Sequence, residues 1–249
     1  MNDIPIHSGI NPAQHPNSIS GESQGAKSAR VALGALYIAA GKIADLNDVV
    51  KGKALLHQRQ VMASMPKPPD GKPKIAPALI YDQQAADHVI NAGTPLAQKA
   101  LQAADTALTS LGETVTRLDS AINLKVLAGK TSRGQELRAY AASQKHPFQK
   151  LGGLFQHAHE NAALVAAVLE AEPYLSNLSE ENQQHLRTVA ANVMAPAEVS
   201  DRKEASLALD HLTGQAKAFT ESTASIFNGL QSPTAGAIEA ITQRGDDNG

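Results

Sequence analysis

The chain has 249 residues, 22 Lys and Arg against 24 Asp and Glu, 42% hydrophobic residues and no cysteine. A near-neutral balance argues against the basic footprint of a general nucleic-acid binder, and the missing thiols exclude disulfides, thiolate metal sites and cysteine nucleophiles. The apolar content is dominated by 43 alanines, with four Phe, four Tyr and no Trp. Alanine loses no side-chain entropy in a helix, whereas strands favour β-branched and aromatic residues. The composition therefore predicts an all-α protein. The longest apolar run, residues 31–40, contains Gly34 and is half the roughly 20 residues a membrane span needs. It also lacks the flanks of a signal peptide, so it reads as a helix buried against protein.

In chain order, residues 1–25 are Gly-, Pro-, Ser- and Asn-rich with scattered apolar side chains. Such a stretch buries too little surface to offset its conformational entropy in isolation. It is expected to be a flexible arm: an ordinary flexible terminus, or a segment that orders on a partner, or an uncleaved export signal. An N-terminal helical segment follows over 26–65. Its first helix runs to about residue 46 with Leu36, Ala39, Ile43, Leu46 and Val50 at 3–4 spacing, and a second piece starts near Asp48. Residues 66–77 form a Pro-rich linker carrying Lys67, Lys72 and Lys74, which must be extended and reads as a solvated spacer.

The remainder, 78–230, is expected to be a helical bundle, with 231–249 a flexible tail. Asp82 is placed to cap a helix that Gly93 ends, and Thr94-Pro95 to open the next. That helix carries Leu101, Ala104, Leu108, Leu111, Val115, Leu118 and Ile122, a heptad-like seam. Short helices are expected over 135–144, over 148–172 with Leu154, Ala158, Asn161, Val165 and Val168 on one stripe, and from Ser179 to before Pro196. Glu180 and Glu181 sit in the first turn of the last of these, where the macrodipole favours acid. A second long helix from Ser200 bears the seam Ala205, Leu209, Leu212, Ala216, Phe219, Thr223, Ile226 and Leu230. Two long heptad-like helices separated by shorter ones suggest an elongated antiparallel bundle.

Catalytic and metal motifs fail on spacing. Gly129-Lys130-Thr131 resembles the end of a phosphate loop, but the required earlier glycine is Leu124 and the segment follows a helix. His157-Ala158-His159-Glu160 is the densest set of metal-ligand types. On a helix the two imidazoles would diverge by roughly 200°, and a helical zinc motif would need a histidine where Ala163 stands. Glu181 and His185, at i and i+4, read as a surface pair. Asp87-His88 and Asp210-His211 are sequence neighbours and point apart. No catalytic, cofactor-binding or metal residue is assigned, and no cofactor is expected.

Together these features read as a soluble, non-enzymatic structural or assembly protein of a large complex. A phage-type virion component, such as a tail, connector or internal protein, fits best. Its partners would be proteins, in a homo- or hetero-oligomer built through the arm and the helix seams. An exported bacterial effector or secretion-apparatus adaptor is the nearest alternative. An enzyme or metal-binding bundle with its site around His157, His159 and Glu160 is the third.

Overall fold

The alanine-rich sequence folds as its composition predicts. In a computed structural model that describes His7, Ile10, Pro12 to Pro66 and Leu79 to Gln231, every regular element is helical. The α-helices are α1 (Gln24–Ser64), α2 (Gln83–Val126), α3 (Gly134–Ala142), α4 (Pro147–Phe155), α5 (Ala162–Glu170), α6 (Glu180–Met194) and α7 (Pro196–Gln231). Short 3-10 turns occupy Pro12–Gln14, Pro16–Ser18 and Pro173–Ser176. The linker beyond Pro66, with its three lysines, and the tail beyond Gln231 lie outside the described residues.

The long helices number three rather than two, because local punctuation is overridden in α1 and α2. No break separates residues 46 and 48, and α1 runs unbroken for 41 residues. α2 likewise passes through Gly93, Thr94 and Pro95, where one helix was expected to end and another to begin. Pro95 lacks the N–H that would bond the Asn91 carbonyl, and an interior proline costs about 3 kcal/mol. Burial on both sides outweighs that cost: Val89, Ala97, Ala100 and Ala104 are all buried. Thr94 does not cap; its hydroxyl donates back to the Ile90 carbonyl at 2.6 Å.

Two compact units divide the chain, one comprising Met1–Ile19, Ser28–Leu108 and Asp210–Gly249, the other Ser20–Lys27 and Thr109–Leu209. In the first unit α1 contributes Leu33, Leu36, Tyr37 and Ile43, α2 contributes alanines at 97, 100 and 104, and α7 contributes Leu212 and Phe219, all buried. At Gly93 α2 comes close to its neighbours. A Cβ there would lie 2.9 Å from Phe227 Cζ and 3.4 Å from Ile43 Cγ1. A second cluster in this unit joins Val50, Ala86, Val89 and Leu230, flanked by Leu46, Tyr81 and Ile226. The stripe expected on α1 (Leu36, Ala39, Ile43, Leu46, Val50) is the stripe that is buried or half-buried.

The second unit is organised around α5. Leu164 to Leu169 are buried on every side of this nine-residue helix, which is too short to be stable alone in water. Around it lie Val126, Ala141, Leu151, Phe155, Leu178, Leu186 and Ala190. Burying a Leu or Val contributes about 1.5–3 kcal/mol, so packing makes this helix. Its C-terminal carbonyls are taken by side chains. Gln183 donates to Val168 O (2.8 Å) and Ala171 O (2.7 Å), and Arg187 donates to Leu169 O (2.7 Å) and to Asn123 Oδ1 (3.0 Å).

The single helix expected over 148–172 is two. The chain turns over residues 156–161, and Asn161 Nδ2 donates to the carbonyls of Leu154 (3.2 Å) and His157 (3.0 Å), closing α4 and opening α5. The last long helix begins at Pro196 rather than Ser200. A proline without an N–H ends α6, yet its fixed φ suits the first turn of the next helix. Ser179 caps α6 as expected, accepting from the Asn182 amide at 3.2 Å. The α7 seam is also as read: Ala205, Leu212, Phe219, Thr223 and Leu230 are buried and the others half-buried. On α2 the predicted seam is only partly covered. Ala104 and Leu111 are buried, while Leu101, Leu108, Val115, Leu118 and Ile122 are half-buried.

Candidate functional site

The turn between α4 and α5 presents His157 and Glu160 to solvent. His159 approaches the Val193 carbonyl of the same unit at 3.1 Å through Nε2. These residues lie on a turn, not on the helix face assumed from sequence, and Asn161 is engaged with backbone carbonyls. Among the described residues no three His, Asp or Glu side chains converge as a metal set.

The remaining motifs are engaged locally. Lys130 pairs with Glu170, and Gly129 abuts the backbone at the start of α5: a Cβ there would sit 2.2 Å from the Ala162 carbonyl carbon. The glycine serves helix packing. His185 lies edge-on to Phe148, ring centroids 5.5 Å apart, rather than pairing with Glu181. Lys125 binds Glu198 at 2.7 Å and holds its carboxyl below the usual carboxylate range.

Two surfaces of the first unit bring together residues that are distant in sequence. One is an open groove of about 870 Å³. Leu46, Val50, Ala54, Ala85 and Val89 line it together with Lys53, His57 and His88. Val49, 60% exposed, lines its edge, and Leu56, 59% exposed, follows it two turns along α1. Beyond Val50 only Ala54 is buried in the rest of α1. Positions i, i+4 and i+7 share a helix face, so Val49, Lys53 and Leu56 form a partly apolar strip in water.

The second surface is the seat of the N-terminal arm. The Tyr37 hydroxyl accepts from the His7 amide, and His7 Nε2 lies 2.9 Å from Asp45 Oδ1. Gly41 admits the His7 ring, which a Cβ would meet at 3.4 Å. His15 packs edge-on against Tyr37, with ring centroids 5.2 Å apart, while its Nδ1 accepts from the Asn17 amide. His211 Nε2 lies 2.8 Å from Ser18 Oγ and 3.1 Å from the Ala13 carbonyl. The Ser18 hydroxyl also lies 2.9 Å from Ala13 O, so the serine and the histidine both meet the turn at Ala13. Among the described residues of the arm Pro16 and Ile19 are the buried side chains, and Arg30 donates to the Ile19 carbonyl. Among the described residues of this segment, His7, His15 and Ser18 meet side chains of α1 and α7. Neither surface has a sequence signature, since each joins segments with no shared motif. Comparison of the chain with family models, characterised proteins and solved structures finds no match.

Proposed function

We propose that this chain is a non-enzymatic structural or assembly protein of a large complex, with a phage-type virion component as its setting and protein–protein contact as its work. The observation that carries the reading is the uncovered strip of α1. Val49 and Leu56 stand in water beside an open apolar groove, and exposed apolar surface next to a cavity favours association. The setting rests on sequence features: a polar N-terminal arm, a Pro-rich linker and long seams without a catalytic constellation.

The test is solution mass as a function of concentration, together with co-purification with a particle. Val49→Asp with Leu56→Asp should abolish association while far-UV circular dichroism stays unchanged. A chain that remains monomeric at every concentration and accompanies no particle refutes the reading. So does a stoichiometric metal that is lost on His157→Ala.

A further inference from the structure

We propose that α1 carries a self-complementary seam through which two copies of this chain pair side by side and antiparallel. This rests on the contact reading above and names the partner of the α1 strip. Three observations on α1 carry it.

First, the exposed apolar residues of α1 are aligned. One face of the helix, with Leu36, Ile43 and Val50, is buried against its own unit, and a helix packed in this way ordinarily turns a polar face to water. Here Val31 (74% exposed), Ile38 (46%), Val49 (60%) and Leu56 (59%) stand on a second line. With Ala35, Lys42, Asp45 and Gly52 between them they alternate at spacings of four and three, the pattern of an a/d seam. Single apolar side chains in water are ordinary, whereas an aligned set marks a contact surface. Second, the seam reads the same when reversed. Turned end for end about the midpoint between Ile43 and Ala44, Val31 falls opposite Leu56, Ala35 opposite Gly52, Ile38 opposite Val49 and Lys42 opposite Asp45. A second copy of the helix, laid antiparallel, therefore meets apolar with apolar, small with small and cation with anion. A two-fold contact demands such a surface, since one patch must complement itself; a parallel pair would instead set lysine on lysine and aspartate on aspartate. Third, nothing in the described packing of the chain asks for glycine at position 52. A Cβ there would meet nothing within 4 Å among the described residues, and glycine inside a helix is unfavourable relative to alanine. Close approach of another backbone is a use for glycine, and the reversed helix sets the small Ala35 against it.

The charged layer at the centre is available for this. Lys42 and Asp45 are both exposed. His7 Nε2 lies 2.9 Å from Asp45 Oδ1, yet the Asp45 side chain is still 69% exposed, and a carboxylate accepts several hydrogen bonds at once. Residues 31–56 span about 38 Å of helix at ~1.5 Å per residue. Exposed ion pairs add little affinity but fix register and orientation. A single helix pair with charge at its middle is a modest contact, so the dimer forms with rising concentration rather than permanently.

Because the chain has no cysteine, an introduced thiol reports position without background. Val31→Cys and Leu56→Cys are made as separate full-length proteins, and a disulfide closes only across Cα separations under ~7 Å. In the antiparallel pair the mixture cross-links under mild oxidation, whereas either variant alone, its two thiols ~38 Å apart, does so at least about tenfold less. Lys42→Glu and Asp45→Lys, each checked for helicity, test the charged layer by light scattering up to ~1 mM. Each alone should dimerise at least about tenfold more weakly than wild type. Their equimolar mixture, or the double variant Lys42→Glu with Asp45→Lys, should regain the wild-type affinity, since both pairs are then restored. Should Asp45→Lys lose helicity through its contact with His7, the cysteine pair gives the decision alone. Self-cross-linking of either cysteine variant as fast as the mixture overturns the antiparallel seam, and so do charge variants that dimerise like wild type. A wild type monomeric throughout overturns pairing with a second copy. It leaves the contact reading standing if the chain still accompanies a particle and Val49→Asp with Leu56→Asp releases it, and otherwise overturns that reading as well.

Discussion

Gly129 offers the sharpest test of how the second unit is built. Replacing it by alanine adds one methyl group, placed 2.2 Å from the Ala162 carbonyl carbon, 2.3 Å from its oxygen and 2.7 Å from the Ala163 nitrogen. The obstructing atoms are backbone at the first turn of α5, not the far end of a flexible side chain. That turn cannot retreat freely, because Val165 and Val168 are fully buried on the helix behind it. Overpacking a close contact costs typically about 1–3 kcal/mol, occasionally more. With backbone against backbone, the top of that range, about 3 kcal/mol, is expected. For a unit of this size that corresponds to a fall in Tm on the order of 10 °C. In urea, with a slope of about 1–3 kcal/mol per M, the midpoint should fall by about 1–3 M.

Far-UV circular dichroism across a urea series measures the change. Gly112→Ala and Gly152→Ala serve as controls, since a Cβ at either position meets nothing within 4 Å. Both should be neutral or stabilise by up to about 1 kcal/mol, the usual helix gain of alanine over glycine. A Gly129→Ala protein within about 0.5 kcal/mol of wild type would refute the packing of the α2 end against α5.

Three further outcomes are expected. Gln183→Ala removes the donor shared by the Val168 and Ala171 carbonyls and should destabilise by about 1–3 kcal/mol, read as a lower urea midpoint with faster amide exchange at the end of α5. Ser176→Ala should be neutral or raise stability by about 1 kcal/mol, because the buried Ser176 hydroxyl has no hydrogen-bond partner among the described residues and the substitution removes its desolvation cost; a clear loss by calorimetry would reveal a hidden partner. Lys125 lowers the Glu198 pKa in the folded state, so the stabilisation is present above the ordinary carboxylate range and lost as pH falls through the folded value. Lys125→Met should therefore cost a little stability at neutral pH, and the difference from wild type should close as pH falls through the lowered Glu198 value; a difference that persists or grows in acid contradicts the pairing.

How far the fold was legible depended on whether a signal was local. The Ser179 cap, the α7 seam and the α1 stripe were readable because each is fixed by residues within a turn or two of one another. The unbroken course of α2 was not, since Thr94-Pro95 is a sound helix start in isolation and only burial of Val89, Ala97 and Ala100 overrides that local preference. The same holds for the split of residues 148–172, which depends on Asn161 bonding two backbone carbonyls. As for the candidate surfaces, the His157 cluster was visible in sequence but the fold leaves it on a turn. The groove and the arm seat were invisible, because they join residues 45–57 with 80–89 and 7–19 with 37, 45 and 211.

By itself the sequence determined that this chain is helical, free of thiol chemistry and without a recognisable catalytic motif. Those follow from propensity, composition and spacing, each a property of the chain before it folds. Tertiary structure alone decided which helices run through their own stop signals and where a nine-residue apolar segment becomes the centre of a core. The free energy for those choices comes from burying surface and satisfying backbone groups across long separations, which no window along the chain contains.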